Sequence, residues 1–158
     1  MATATETKAQ RGLQVLEVVR EVEIAASIDI VFETVLEQLG PMLSCAADSE
    51  LMQLKLEAWP GGRWFRDLGN DVGYLWGHVQ AIRPPELIEL HGPMFMSDAA
   101  VSHVQFRLQE VDGVTRIDFS HRAMGLIPQG LQDGAEVNAG WTNYFAKLRA
   151  GVEKRLQV

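Results

Sequence analysis

The chain has 158 residues, 47% of them hydrophobic, and a formal net charge of −7. That length suits one domain with a sizeable core, since a domain of this size buries roughly two-thirds of its unfolded surface. Its 14 Lys and Arg are scattered among 21 Asp and Glu, which argues against nucleic acid or an anionic membrane surface as partner, because both call for clustered basic residues.

Residues 1–14 read as a flexible polar tail, and residues 15–158 as a single domain. The tail lacks the apolar core of a secretory signal, and no apolar run approaches the ~18 residues of a membrane span. The expected address is the cytoplasm. Val15 to Ile24 is β-branched and partly alternating, which predicts a strand. Ser27 is placed to cap a helix, with Asp29 in its first turn and Ile28, Val31, Phe32, Val35, Leu36 and Leu39 as its apolar stripe. Gly40-Pro41 ends that helix, and Met42 to Ala47 could add a short helical turn. Cys45 is the only cysteine, so neither an intrachain disulfide nor a cysteine-based zinc site is expected.

From Leu51 the period becomes two. Strands are predicted over Leu51–Trp59, Arg63–Asp67, Val72–Ile82, Leu87–His91, Ala99–Glu110 and Val114–Arg122. The punctuation between them is Pro60-Gly61-Gly62, Gly69-Asn70-Asp71, Pro84-Pro85, Gly92-Pro93 and the hairpin pair Asp112-Gly113. Val104, Phe106 and Leu108 share one face, as do Ile117 and Phe119. A loop over Ala123–Gly130 leads to a helix from about Gln132 to Leu156, ~38 Å long at 1.5 Å per residue. Its apolar stripe runs through Ala135, Asn138, Trp141, Phe145, Leu148 and Val152. This order of elements is an α+β domain: a curved antiparallel sheet of about seven strands, one or two short helices after the first strand, and a long C-terminal helix.

The combination resembles the START-like (helix-grip, SRPBCC) superfamily, in the branch similar to the heat-shock-protein-90 ATPase activator C-terminal domain. Four stretches carry the resemblance. They are Val22–Ile24 with Ala26-Ser27, Val31-Phe32 and Leu36; Trp59-Pro60-Gly61-Gly62-Arg63-Trp64; Gly77-His78-Val79 through Arg83-Pro84-Pro85-Glu86-Leu87; and Val104–Phe106 through Asp112–Ile117, Ser120-His121, Gly140-Trp141 and Leu148. The stretch Leu39–Cys45 departs from the pattern, lacking the aromatic pair often found there. The resemblance implies a helix-grip fold with a cavity between sheet and C-terminal helix. It does not fix a function, because this fold hosts many.

Within such a cavity, Trp141 and Phe145 should point inward from the helix and Phe106 and Phe119 from the sheet, as core or as ligand contacts. Asn138 is an amide within the apolar stripe, and a buried amide needs a hydrogen-bond partner. His121 shares the parity of Phe119 and offers a polar anchor or a base titrating near neutrality. His103 should face outward, and the histidines show no metal-ligand spacing. Met94, Phe95 and Met96 form an apolar loop cluster suited to a lid, a plug or a dimer contact. No nucleophile elbow, phosphate loop or dinucleotide fingerprint is present. The sequence therefore predicts no catalytic residue, cofactor or metal. It predicts a small hydrophobic or amphipathic ligand bound by Phe106, Phe119, His121, Asn138, Trp141 and Phe145. The alternatives are a protein-interaction module with a protein partner or a second copy, and a cyclase- or hydrolase-like enzyme.

Overall fold

Alternation along two long strands sets the architecture, which a computed structural model describes over residues 12–43, 52–94 and 98–158. In β6 (Ala100–Val111) the buried positions are Ala100, Ser102, Val104, Phe106 and Leu108. In β7 (Val114–Gly125) Thr115, Ile117, Phe119, His121 and Ala123 are buried. The register pairs Phe106 with Phe119 and Val104 with His121, so both strands present one apolar face to the same side. The hairpin between them turns on Asp112 and Gly113, with φ of 52° and 79°, the left-handed pair a two-residue turn requires.

The remaining strands are β1 (Gln14–Ile24), β2 (Leu54–Leu56), β3 (Arg63–Gly69), β4 (Val72–Arg83) and β5 (Leu87–Gly92). The sheet order is β1-β7-β6-β5-β4-β3-β2, with every neighbouring pair antiparallel. The curved sheet wraps around the long C-terminal helix α2 (Ala135–Leu156), with α1 (Ile28–Leu39) beside it. Two boundaries differ from expectation. The strand predicted over Leu51–Trp59 is observed only at Leu54–Leu56. Past it the chain bends so that Gly61 N–H donates to Val79 O and Val79 N–H donates to Gly62 O, both at 2.8 Å. A Cβ at Gly62 would lie 1.9 Å from Glu57 O, which is why glycine occupies that corner. The long helix starts at Ala135 rather than Gln132, preceded by a 3₁₀ turn at Gln129–Leu131. The proposed helical turn over Met42–Ala47, Cys45 included, lies mostly outside the described residues, as do Phe95 and Met96.

Ser27 sits at the N-cap of α1, but its hydroxyl makes no cap bond. The end of β6 supplies one instead: Ile28 N–H donates to Glu110 Oε1 at 2.6 Å. The two helices lock together at three points. Tyr144 Oη donates to Val35 O at 3.0 Å, Arg155 pairs with Glu33 and Glu37, and a Cβ on Gly151 would lie 2.9 Å from Thr34 Cγ2. Among the described residues no helix is long and apolar enough to cross a membrane.

Candidate functional site

The buried residues of α2 are Tyr144, Phe145, Leu148 and Val152, all in its C-terminal two-thirds. They rest on an aromatic layer in the sheet. Phe119 lies 4.5 Å from Trp141 and 5.2 Å from Phe145, ring centre to ring centre. Phe106 lies 4.9 Å from Phe119 and 5.7 Å from Tyr144. Phe106 is fully buried and Phe119 and Phe145 nearly so, which makes these three predicted residues packed core between the helix and the sheet.

The N-terminal third of α2 is different, because no residue from Ala135 to Asn143 is buried. It forms one wall of a cavity of about 790 Å³, a size that accommodates a drug-sized molecule. Val137, Gly140, Trp141 and Tyr144 line it from the helix, at spacings that put them on one helical face. Trp64 and Trp76 line it from the sheet, packed edge to face at 5.3 Å. Leu43, Met52 and Met94 complete the apolar lining among the described residues, with Leu131 from the 3₁₀ turn. Trp64 is fixed by its indole N–H, which donates to Leu39 O at 2.7 Å.

His121 reaches the same cavity from β7, and its hydrogen bonds define its state. Trp141 Nε1 lies 3.0 Å from His121 Nδ1, and an indole N–H can only donate. Nδ1 therefore accepts, the neutral ring carries its proton on Nε2, and Nε2 donates to Ser102 Oγ at 2.9 Å. Burial, helped by the nearby His103, pushes the pKa of this imidazole down from 6.5 to about 4, in keeping with a ring that stays neutral. The polarity of the chain matters for chemistry. A histidine activating Ser102 would have to accept the hydroxyl proton at Nε2; here that nitrogen is the donor. Burial likewise pushes the pKa of the Tyr144 phenol well above its usual 10, holding it as a neutral donor to Val35 O. The arrangement thus orients rings and satisfies their polar edges.

Asn138 is exposed and faces away from the cavity. Its Oδ1 accepts from Arg20 Nη2 at 2.6 Å, and the same nitrogen lies 2.7 Å from Asn138 O and from Thr142 Oγ1. Val137 and Asn138 stand on opposite flanks of the buried stripe, about 100° apart. Val137 takes the cavity side and Asn138 the β1 side. His121 and Trp141 are brought together in the wall, while Asn138 is not with them. Sequence reasoning missed Trp64, Val137 and Tyr144. The aromatic residues flanking the Pro60-Gly61-Gly62 corner and the Gly77-His78-Val79 motif were the available signal. Among the described residues no three His, Cys, Asp or Glu side chains gather as a metal site.

A curved antiparallel sheet gripping a long C-terminal helix, with an aromatic cavity beneath the helix's first turns, defines a helix-grip, START-like protein. Residues 25–153 match the family model of the activator of Hsp90 ATPase homolog 1-like proteins, and the chain belongs to that family. Sequence comparison with curated proteins finds no match. Among solved structures it is similar to an uncharacterized protein from Rhizobium leguminosarum, with TM-score 0.71 and 19% identity over 92% of this chain and 99% of the other. It is similar to Mll3558 from Rhizobium loti, with TM-score 0.67 and 15% identity over 89% and 99%. CalU16 from Micromonospora echinospora gives TM-score 0.60 and 16% identity over 94% and 88%. At these identities the likeness is one of fold.

Proposed function

We propose that the protein binds a small hydrophobic or amphipathic molecule in the cavity between the sheet and the first half of α2. The observation that carries this reading is the cavity of about 790 Å³ walled by Trp64, Trp76, Trp141 and Tyr144. Three of those residues already have their polar atoms engaged by protein: Trp64 with Leu39 O, Trp141 with His121, and Tyr144 with Val35 O. Such walls offer a ligand aromatic faces and shape rather than hydrogen bonds. His121 and Trp141 act as wall residues, with Phe106 and Phe119 supporting them from the sheet and Phe145 from the next turn of α2.

The test is a thermal-shift and native mass-spectrometry screen across lipids, polyketides and planar aromatic compounds. Saturable binding that Trp141→Ala weakens at least about tenfold, or about 1.4 kcal/mol, supports the reading. No binding across the panel sinks it.

A second reading is a protein-interaction module, favoured by the family match over residues 25–153. The exposed apolar side chains Leu68, Val72, Tyr74 and Leu75 around the β3–β4 hairpin are the surface such a partner would use. Charged substitutions there that abolish recovery of a partner, with cavity binding unchanged, would favour it over the first.

A further inference from the structure

The charge of the cavity lining limits what can enter it. Among the described lining residues, Glu136 is the one carboxylate, and there is no lysine or arginine. The other polar members are His121, Thr142 and Asn143, and His121 is held neutral by its bonds to Trp141 and Ser102. Arg20 does not line the cavity; it approaches α2 from the β1 side, where one nitrogen is held by Asn138 and by the lining residue Thr142. The walls add aromatic rings, of which Trp76 and Trp141 are partly exposed tryptophans, the best partner for a cation over a ring. A net charge of −7 over the whole chain favours approach of cations and disfavours that of anions.

We propose that the cavity selects cationic amphiphiles: an apolar body against Trp76 and Trp141, and an amine or quaternary ammonium head near Glu136. Fatty acids and other anionic amphiphiles of equal length are discriminated against, since among the described lining residues their carboxylate meets one like charge and no base. This inference rests on the cavity reading and sharpens it.

The probes are decyltrimethylammonium, decanol and decanoate, titrated below micelle formation against the full chain by tryptophan fluorescence and calorimetry. One ion pair with an added cation–aromatic contribution predicts that the cation binds about tenfold tighter than decanoate, with decanol between them. Glu136→Gln should shrink that advantage several-fold without moving decanol, and Glu136→Lys should reverse it. Circular dichroism on each variant checks that the fold is retained. Saturable decanol binding with equal or tighter decanoate binding overturns the charge selection and leaves the cavity reading standing. So does a cation advantage unmoved by Glu136→Lys. Absence of saturable binding by all three probes overturns both.

Discussion

Arg20 on β1 holds Asn138 on α2 by a 2.6 Å bond from Nη2 to Oδ1, and the same nitrogen also reaches Asn138 O and Thr142 Oγ1. The bond ties the unburied end of the helix to the edge of the sheet. Arg20→Ala should destabilise the fold by about 1–2 kcal/mol, the range for a charge-assisted bond discounted for exposure. Asn138→Ala should cost less, because the backbone carbonyl still accepts. A double-mutant cycle in urea should give a coupling of ~1 kcal/mol between the two. Additive losses would mean the clamp contributes nothing.

Acid should weaken the fold through His121. The folded imidazole stays neutral down to about 4, while an unfolded one protonates near 6.5. Between those values the unfolded chain binds the extra proton, so stability falls as pH drops from about 6.5 and levels off below about 4. The loss attributable to this residue is about 3 kcal/mol, since each tenfold difference in proton affinity between the folded and unfolded chain is worth about 1.4 kcal/mol. Glu57, held down to about 2 chiefly by its bonds from Arg63, acts with the same sign in a lower window. Urea unfolding of the native chain and His121→Gln at pH 7 and pH 4.5 separates the two. The variant should show a smaller difference, and equal differences would refute the assignment.

The crossing of α1 and α2 predicts a change of sign. Gly151→Ala brings a Cβ to 2.9 Å from Thr34 Cγ2, and such overpacking outweighs the ~1 kcal/mol that alanine adds to helix stability. The single substitution should therefore destabilise by about 1 kcal/mol. Thr34→Ser removes the opposing methyl and keeps the hydroxyl that donates to Ile30 O at 2.7 Å. In that background Gly151→Ala should become neutral or stabilising, as read from thermal unfolding. Persistence of the full penalty would place the constraint elsewhere.

The first turn of α1 offers a comparison between a residue named by its sequence position and one named by its contact. Glu110 accepts from Ile28 N–H at 2.6 Å, whereas the Ser27 side chain makes no cap bond. Glu110→Ala should cost about 1 kcal/mol, a usual value for losing a cap, and Ser27→Ala appreciably less. Amide exchange at the start of α1 should quicken in the first variant only.

These cases explain what could be read from the chain and what could not. Period-two patterning in β6 and β7 placed Phe106, Phe119 and His121 on the inner face, because pleating leaves a side chain no other option. The Asp112-Gly113 turn followed from conformational preference alone. Asn138 is where periodicity loses its power. Steps of three and four are equally helical, so Trp141 is followed back as well to Val137 as to Asn138, and only the position of β1 decides which flank is which. Glu110 was illegible for a related reason, since it lies 82 positions from the amide it caps. Trp64 and Trp76 meet where the β3–β4 register shifts beside Trp64, and a bulge leaves little trace in an alternation pattern.

The unequal burial of α2 has a consequence for how such a protein can change. Leu148, Val152 and Phe145 anchor the domain, Val137 and Gly140 touch the cavity and are only partly buried, and Trp141 and Tyr144 do both. Cavity wall and core thus meet at Trp141 and Tyr144, with the wall alone on the turn before them and the core alone on the turns after. Substitutions at Val137 or Gly140 therefore reshape the cavity wall at small cost in stability, whereas a change at Trp141 also strips the buried His121 of its hydrogen-bond donor.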